Sequence, residues 1–530
     1  MIDICFVGNS SVDHIVTKNG CHKTFGGSAI YSSYSCRHIS DVEIAIISNV
    51  NKKLKVELNN KDINVIGDNN PLVEFEIDEI NGTCSAKKYY DNNFSVSETV
   101  NINHLHISFR KGVDVDKILN NPKIQYNTLS IDVMIHSVKE YIPLVKKYLD
   151  KIDMLFCNMA EYSVIEDIVK NIPIKIITNE DKPVIVMNKK ENLIYEVHKA
   201  EKVISTTGAG DTFIGGFLGS YVKNKNLDLS ISQGISNSFA SIKKIGPLGL
   251  RDKVSLLDIK RLKLPNNIIV IGNSCAGKTT FINFLKKNYN IFTDIDDLSP
   301  LLEVFMMDDV ANINDIEKFK KIESKITFMK DIYNEYLSDF NNIKHYSRLA
   351  MNGTGHDIIR PILWDLILEK AVLKLQKNNN IIQFSRGFDY AYEEEIDKDV
   401  YKRSIGLILN ILPNCNNTII INLTSELDVR KQRNLDRYAN GGHFVSEATM
   451  EQVYGQDIFA YKHIKNNCGY IEINDILYPV VTVVNDKFLE PIELDEFLLY
   501  NLNRVIKYYN NFKEVQNNGH ETNTEGYLAK

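Results

Sequence analysis

The sequence predicts an α/β protein with two domains, each built on a mainly parallel sheet covered by helices. Short β-branched runs such as "IDICFVG" and "PVIVM" alternate with amphipathic stretches such as "SVKEYIPLVKKYLDKI", which is the pattern of βαβ units. Two glycine-rich turns of different design, "GAGD" and "GNSCAGKTT", each precede a helix-like run. Pro and Gly cluster between these turns, at 245–267, so we place the domain boundary near residue 260.

Length and composition narrow the classes of protein. The chain has 530 residues, of which 44% are hydrophobic and 25% charged, with a net charge of −6. At roughly 150 residues per domain this length exceeds one ordinary core. The charges are interspersed, which argues against nucleic-acid or membrane partners. Eight scattered cysteines without CxxC spacing, a strand-like N-terminus and no apolar run of roughly 18 residues predict a reduced, cytoplasmic protein.

The predicted domains are 1–255 and 262–510, followed by a polar tail, 511–530, that we expect to be disordered. In the first domain, residues 72–96 alternate apolar and polar positions around an Asn-Gly turn at 81–82, which predicts a hairpin that forms a small β lid. The second domain begins with the strand "NIIVIG", and its region 313–345 has a helical pattern. Later strands are predicted at "NNIIQFSRG", "NTIIINLT" and "ILYPVVTVVND".

The "GAGD" turn has the features of a phosphate site. Gly208, Ala209 and Gly210 would expose backbone N–H groups at a helix N-terminus, which favours an anion. Asp211 follows directly, where its carboxylate could take a proton from an acceptor hydroxyl. The alternative is an ordinary glycine turn before a helix.

Other motifs accompany this turn in a fixed order. Asp13 follows the first strand, Gly26 and Gly27 precede a helix, and Asn158 and Glu161 follow a later strand. With the GAGD turn they make nearly all of residues 1–255 resemble the ribokinase-like (PfkB) family of sugar and nucleoside kinases.

The resemblance implies an α/β/α sandwich with a β lid, ATP and Mg²⁺ as cofactors, and a possible homodimer through this domain. It implies that Asp13 binds acceptor hydroxyls, that the glycine pair closes around the substrate, and that Asp211 is the base beside a GAG anion hole. Asn158 and Glu161 would organise magnesium and phosphate.

The sequence departs from the family pattern at three places. Ser205 stands where DTxGAGD usually begins with Asp, Tyr31 replaces the asparagine of GGxxxN, and "IITNEDKPVIVM" contains no glycine. These departures bear on metal handling, acceptor identity and nucleotide fit.

The second turn matches a Walker A motif in its required setting, a strand followed by G-x-x-x-x-G-K-T and a helix. Gly272 and Gly277 would free the backbone to wrap phosphates, Lys278 would bridge phosphate oxygens, and Thr279 would offer its hydroxyl to Mg²⁺. The remaining predicted nucleotide contacts are Asn273, Ser274, Cys275, Ala276 and Thr280.

Acidic and basic residues after the Walker A motif favour a small-molecule P-loop kinase with a helical lid. Asp294 and Asp296 alternate along an extended segment and so project the same way, for magnesium or the acceptor hydroxyl. Such kinases hold a substrate anion with an arginine placed like Arg386. Three arginines spaced three and four positions apart would lie on one face of a helix and so favour a helical lid over the phosphates. They are Arg430, Arg433 and Arg437. A solvated acidic turn, a surface arginine and a salt-bridged helix are the alternatives.

The absence of NKxD, Q-loop and ABC signature motifs disfavours GTPases, ABC proteins and helicases. We therefore predict a bifunctional kinase: the first domain phosphorylates a nucleoside or sugar hydroxyl, and the second phosphorylates the product, in the manner of a nucleoside monophosphate kinase. Two alternatives stay open. Either only the P-loop domain is catalytic and the first domain senses a ligand or dimerises, or the protein is a nucleotide-switched binding protein.

Overall fold

The computed structural model describes residues 1–247, 254–296, 371–387, 400–441 and 444–517, apart from positions 68, 89, 91–95, 97, 135–137 and 190, together with 347–349, 356–358 and 368–369. The chain divides into two units, Met1–Leu262 and Lys263–Lys530. Within the described residues, no helix is long and apolar enough to cross a membrane.

The N-terminal unit is built on a large, mostly parallel sheet. The strands of this unit are β1 (Ile2–Val7), β2 (Ser11–Thr17), β3 (Gly20–Gly26), β4 (Ile44–Ile47), β5 (Ile63–Ile66), β6 (Val73–Asp78), β7 (Thr83–Lys88), β8 (Val100–Phe109), β9 (Ile124–Val133), β10 (Met154–Asn158), β11 (Ile174–Asn179), β12 (Lys182–Asn188) and β13 (Asn192–Tyr195). Strand β14 (Arg261–Leu264) spans the boundary between the units. The large sheet has the order β13-β12-β11-β10-β9-β8-β1-β4-β5, in which β12 is antiparallel to both neighbours.

A separate four-stranded sheet has the order β3-β2-β6-β7. Its β6–β7 hairpin, with Gly82 at a φ of 66° in the turn, is the predicted lid hairpin. Because β2 carries Asp13, this lid sheet also supplies a residue to the candidate site.

Helices of the N-terminal unit are α1 (Ser28–Ile39), α2 (Lys52–Asn59), α3 (Val115–Leu119), α4 (Val138–Lys147), α5 (Met159–Val169), α6 (Ala209–Asn224) and α7 (Leu227–Ser241). Helix α6 packs tightly against α1. A Cβ on Gly215 would lie 2.0 Å from the carbonyl oxygen of Ser32, so only glycine allows this approach. The close packing fixes the N-terminus of α6, where Asp211 lies, relative to α1.

The C-terminal unit contains a second mixed sheet with the order β16-β19-β15-β20-β23-β22-β21. The strands of this unit are β15 (Asn267–Ile271), β16 (Thr293–Asp296), β17 (Ser347–Leu349), β18 (His356–Ile358), β19 (Asn380–Phe384), β20 (Thr418–Thr424), β21 (Lys462–Lys465), β22 (Cys468–Ile473) and β23 (Ile476–Val484). The five strands from β16 to β23 in the sheet order pair in parallel, and β22 and β21 add an antiparallel edge. Within the described residues, the two short strands β17 and β18 pair with each other as a separate two-stranded sheet.

The described helices of this unit include α8 (Lys278–Asn288), α9 (Val400–Ile411), α10 (Leu427–Ala439), α11 (Glu447–Gln452) and α12 (Pro491–Asn517). The prediction of a disordered tail from residue 511 is wrong for 511–517, because α12 continues to Asn517 with Phe512 fully buried. Burial of the Phe512 ring holds this segment in the helix, although its polar composition predicted disorder. The helical region predicted at 313–345 lies outside the described residues.

Candidate functional site

The candidate base of the N-terminal unit lies beside a partly buried arginine. Asp211 is in the first turn of α6, and Arg110 follows the last residue of β8. The Nη2 atom of Arg110 donates to Asp211 Oδ1 at 3.2 Å and to Asp132 Oδ2 at 2.7 Å. Burial raises the pKa of Asp211, and the guanidinium of Arg110 opposes that rise. Arg110 therefore favours the ionised form of Asp211 that a general base needs.

A chain of buried polar groups extends from Asp132 into the core. The Oδ1 atom of Asp132 lies 3.2 Å from His106 Nε2, and His106 Nδ1 is 2.9 Å from Ser130 Oγ, which also bonds His104. Burial alone would raise the pKa of Asp132, but Arg110 and His106 together hold it below its usual value. Burial lowers the pKa of His104 to about 3, so that imidazole is neutral. This chain holds Asp132 in the orientation that binds Arg110.

Asp13 is a second buried carboxylate near Asp211. It is 2% exposed, and Ser11 Oγ donates to its Oδ1 at 2.6 Å. Burial outweighs this hydrogen bond and, with the charge of Asp211, raises the pKa of Asp13 to about 6. A Cβ on Gly26 would lie 1.7 Å from Asp13 Oδ2, so a glycine is needed there to leave room for this carboxylate. Gly27 has a φ of 90° and forms the N-cap of α1.

Tyr31, which replaces the family's asparagine, packs over the glycine turn. A Cβ on Gly208 would lie 2.4 Å from the Tyr31 ring. The Tyr31 hydroxyl is buried and has no hydrogen-bond partner within the described residues. Burial, then the charges of Asp13, Asp211 and Glu79, hold its pKa well above the usual value. The charges of three carboxylates therefore act on one buried hydroxyl.

The glycine turn has the geometry that an anion site requires. Gly208 is the N-cap of α6 with a φ of 73°, a left-handed conformation that disfavours other residues. Next to Gly210 the space is open, because a Cβ there would meet nothing within 4 Å. The N–H of Ala209 donates to the carbonyl oxygen of Thr206, so the N–H of Gly210 is the first at this end of α6 that could meet an anion.

Glu79, at the tip of the lid hairpin, contacts the loop that leads into this turn. Its Oε1 atom accepts from Ser205 Oγ at 2.7 Å, from Thr207 Oγ1 at 2.6 Å, and from the backbone N–H groups of Thr206 and Thr207, each at 3.0 Å. A carboxylate from the lid thus binds the loop at the position where the family pattern has its own aspartate.

The predicted metal residues Asn158 and Glu161 form a capping box at the start of α5. Asn158 Oδ1 accepts from the Glu161 N–H at 2.8 Å, and Glu161 Oε2 accepts from the Asn158 N–H at 2.7 Å. Both side chains therefore cap the N-terminus of α5. Among the described residues, no group of three or more His, Cys, Asp or Glu side chains is arranged to hold a metal ion. A role for this pair in magnesium binding stays a prediction.

Sequence reasoning missed three residues of this site: Arg110, Asp132 and Glu79. Arg110 and Asp132 stand at or near the carboxyl ends of β8 and β9, the edge where ligands of parallel sheets bind. Charged residues at the ends of two predicted apolar strands were an available signal. Glu79 offered no such signal in the sequence. Its contacts are with Ser205 and Thr207, which are 126 and 128 positions further along the chain, so they depend on how the lid hairpin folds.

In the C-terminal unit, the predicted Walker A loop connects β15 to α8. Gly272 has a φ of 143° and Gly277 one of 101°, and Cys275 is also left-handed at 63°. A Cβ on Gly272 would lie 2.1 Å from the carbonyl oxygen of Leu423. Lys278 Nζ donates to the carbonyl oxygens of Gly272 and Asn273 and to Ser385 Oγ. The loop therefore curls around its own lysine at the carboxyl end of the sheet.

A cavity of about 440 Å³ opens at this loop. The Walker A residues that line it are Ser274, Cys275, Gly277, Lys278, Thr279 and Thr280, and the other residues are Asp296, Gln383, Phe384, Ser385, Arg433, Arg437, Val445 and Tyr454. Asn273 and Ala276 do not line it. Asn273 Nδ2 donates to the carbonyl oxygens of Tyr454 and Gln456. Ala276 is fully buried.

The two acidic residues of β16 have different environments. Asp296 lines the cavity. Asp294 instead lies 3.9 Å from Lys286 Nζ, and burial raises its pKa. Asp294 and Asp296 flank the buried Ile295 in this strand, but only Asp296 is among the cavity residues.

The predicted arginines also separate into two groups. Arg433 and Arg437, both on α10, line the cavity, whereas Arg386 and Arg430 are each 2% exposed and do not. Arg386 Nε donates to Ser404 Oγ at 3.1 Å, and its guanidinium stacks on Phe384. The prediction that Arg386 and Arg430 face a substrate is therefore corrected, because their side chains are packed within the unit.

Residues 131–249 match the family model described as pfkB family carbohydrate kinase. The chain is 30% identical over 113 residues to adenosine kinase of Saccharomyces cerevisiae. The aligned segment covers 20% of this chain and 33% of that protein. It is 26% identical over 145 residues to adenosine kinase of Schizophyllum commune, covering 22% and 42%. The match thus spans less than half the length of these curated relatives.

The solved structure of a Methanocaldococcus jannaschii nucleoside kinase, described as an archaeal member of the ribokinase family, has 20% identity and a TM-score of 0.38. It covers 46% of this chain and 93% of that one. The segment that matches the family model contains Asn158, Glu161 and the GAGD turn. Over residues 131–249, the N-terminal unit is therefore similar to the pfkB family of carbohydrate kinases.

Proposed function

We propose that the N-terminal unit is an ATP-dependent kinase that phosphorylates a hydroxyl group of a nucleoside or a sugar. The observation that carries the proposal is the position of Asp211, partly buried and bonded to Arg110, directly after a left-handed glycine turn at a helix N-terminus. The names of the two curated relatives, both adenosine kinases, favour a nucleoside acceptor.

The residues of this unit have distinct roles in the proposed reaction. ATP with Mg²⁺ would supply the phosphoryl group when bound. Asp211 accepts the proton of the acceptor hydroxyl with the oxygen that Arg110 leaves free, since Arg110 bonds only Oδ1. The N–H groups at the start of α6 stabilise negative charge that develops beside Gly210. Asp13 binds a neighbouring hydroxyl of the acceptor and so orients it.

We propose, as a second function, that the C-terminal unit is a P-loop kinase that phosphorylates the product of the first reaction. The cavity supports this proposal, because it places Lys278 and Thr279 together with Asp296, Arg433 and Arg437. Those groups supply phosphate binding, a carboxylate for magnesium or the acceptor, and cations for transferred charge. The cavity also lies at the carboxyl end of β15, where the strand order reverses: β16 and β19 lie on one side of β15, and β20 and β23 lie on the other. This is the usual ligand position in open α/β sheets.

Mass spectrometry of products tests both proposals at once. The full chain is incubated with MgATP and a panel of nucleosides, nucleoside monophosphates, sugars and polyols. We expect the wild type to add two phosphates, Asp211→Asn to leave the starting compound unchanged, and Lys278→Ala to stop after one phosphate.

Two exposed residues provide matched controls: Asp41→Asn, whose carboxylate pairs with Lys223 at the surface, and Lys465→Ala on the edge strand β21. Both should behave as wild type. If Asp211→Asn phosphorylates as the wild type does, the N-terminal unit is not a kinase. If Lys278→Ala still adds the second phosphate, the P-loop proposal is wrong.

A further inference from the structure

The turn of the lid hairpin is held by hydrogen bonds and places the Glu79 carboxylate against the loop 205–207. Asp78 Oδ1 accepts from the N–H groups of Ile80 and Asn81, and its Oδ2 accepts from Asn81 Nδ2 at 2.7 Å. The N–H of Glu79 itself donates to the carbonyl oxygen of Val16 on β2. The backbone of Glu79 is therefore held both by its own turn and by the strand that carries Asp13.

The loop that receives this carboxylate donates several hydrogen bonds to it. Four donors from Ser205, Thr206 and Thr207 converge on Glu79 Oε1 at 2.6 to 3.0 Å. Hydrogen bonds to a charged acceptor are stronger than neutral ones. On its other side the loop is attached through the N–H groups of Ile204 and Ser205, which donate to the carbonyl oxygen of Ile242.

This loop leads directly into the anion-binding turn. Thr206 O accepts from the N–H of Ala209, and Gly208 O accepts from the N–H of Thr212. Any shift of residues 205–207 therefore moves Gly208 and the first N–H groups of α6. The lid tip and the phosphate site thus share one set of hydrogen bonds.

We propose that Glu79 is a positioning residue that latches the lid to the anion-binding turn, so that closure over the acceptor orders the phosphate site and phosphate binding orders the lid. The inference rests on the proposed phosphotransfer at this site. Such coupling is reciprocal: each event stabilises the other by the same factor. The latch would also supply, from the lid, the carboxylate that is missing at position 205, where this chain has serine and the family pattern has aspartate.

Hydrogen–deuterium exchange on the full chain tests the latch without any assay of activity. In Glu79→Ala we expect the amides of Thr206 and Thr207 to exchange about tenfold faster or more, because each loses a hydrogen bond to a charged oxygen. Amides of the β6–β7 hairpin should exchange faster as well. Glu79→Gln, which keeps a neutral acceptor, should give a smaller change.

A matched control lies on the same hairpin. Glu76 pairs with Lys87 at 2.8 Å on the exposed side of the lid, so Glu76→Ala removes a lid carboxylate and leaves the loop intact. Its 205–207 amides should exchange at the wild-type rate. Unchanged exchange of those amides in Glu79→Ala would overturn the proposal.

A second variant separates a latch from simple loop stabilisation. In Glu79→Ala/Ser205→Asp, an aspartate on the loop can accept from the N–H two residues on, as Ser205 Oγ does at 3.3 Å. Protection of the loop should return, but protection of the hairpin should not. If hairpin protection returns too, the lid is ordered without Glu79 and the latch is refuted.

MgADP as a probe distinguishes failure of this inference from failure of the proposed function. In the wild type MgADP should slow exchange at the start of α6 and also in the hairpin, whereas in Glu79→Ala it should slow exchange only at α6. Protection of the hairpin by MgADP in both proteins would refute the coupling. No protection at α6 in the wild type would instead count against the proposed nucleotide site.

Discussion

At the scale of single residues, the ion pair between Arg110 and Asp211 determines when the proposed base is ionised. The groups that face Asp211 are Arg110, Asp132, His106 and Asp13. Removal of the cation in Arg110→Gln leaves burial and the other carboxylates to raise the pKa of Asp211 further. A higher pKa keeps the base protonated up to a higher pH.

We therefore expect Arg110→Gln to lower kcat by about 10²-fold near neutral pH and to move the acid limb of the kcat/KM profile to higher pH. The measurement is a pH–rate profile of the first phosphorylation. Lys223→Gln, which breaks an exposed ion pair, serves as the control and should keep the wild-type profile. An acid limb that stays in place in Arg110→Gln would contradict this assignment.

Asp13 gives a prediction about stability. Its pKa is about 6 in the folded protein and about 3.9 in an unfolded chain. The folded state thus binds more protons between these values, so the contribution of Asp13 favours folding below about pH 4 and is lost as the pH rises through 6. At neutral pH, the buried charge destabilises the fold.

Asp13→Asn should therefore raise the free energy of unfolding by about 1–3 kcal/mol at pH 7.5 relative to its effect at pH 4. Urea unfolding at the two pH values measures the difference. Asp41→Asn, whose carboxylate is fully exposed, should show little change of this kind. An effect of Asp13→Asn that is equal at both pH values would show that the carboxylate is not held at a raised pKa.

At the scale of elements, helix α10 places two arginines at the same cavity, and the two differ in how many hydrogen bonds hold them. Arg433 is fixed by four hydrogen bonds, to Ser425, to both oxygens of Asn485 and to the carbonyl of Lys487. Arg437 donates from Nη2 to Asn434 Oδ1, while its buried Nε has no partner within the described residues. Arg437 is therefore the arginine with donor capacity left for a phosphate.

From this difference we expect Arg437→Gln to slow the second phosphorylation by about 10²-fold with little loss of stability. Arg433→Gln should both slow the reaction and lower the midpoint of thermal unfolding, since it releases the loop after β23. Lys431→Gln on the same helix, whose amine pairs with Glu447 and Glu451, is the control for the helix. Full second-step activity in Arg437→Gln would remove α10 from the proposed mechanism.

The same elements show what the sequence could and could not predict. Both glycine turns, the lid hairpin and the arginine helix were predictable because each depends on residues within one turn or one helix. Arg110 reaches Asp211 across 101 positions, and Glu79 reaches Thr207 across 128. Such contacts depend on packing of whole elements, which a local pattern does not encode. For the same reason, Arg386 and Arg430 matched the expected spacing but are buried by their neighbours.

At the scale of the whole molecule, each candidate site draws its described side chains from one unit. Asp13, Arg110 and Asp211 lie before the division at Leu262, and Lys278, Asp296 and Arg437 lie after it. Among the described residues, the proposed chemistry of each site uses side chains of its own unit. Fusion would then act only through the local concentration of the shared intermediate.

This independence predicts complementation between two full-length variants that each lack one of the two proposed activities. A mixture of Asp211→Asn and Lys278→Ala should form the doubly phosphorylated product, because the second variant makes the intermediate and the first consumes it. The intermediate must diffuse between molecules, so we expect a lag that shortens as the concentration of the Asp211→Asn protein rises. The wild type at equal concentration should show a shorter lag. A mixture that never adds the second phosphate, although each variant keeps its own remaining activity, would show that the intermediate passes only within one chain.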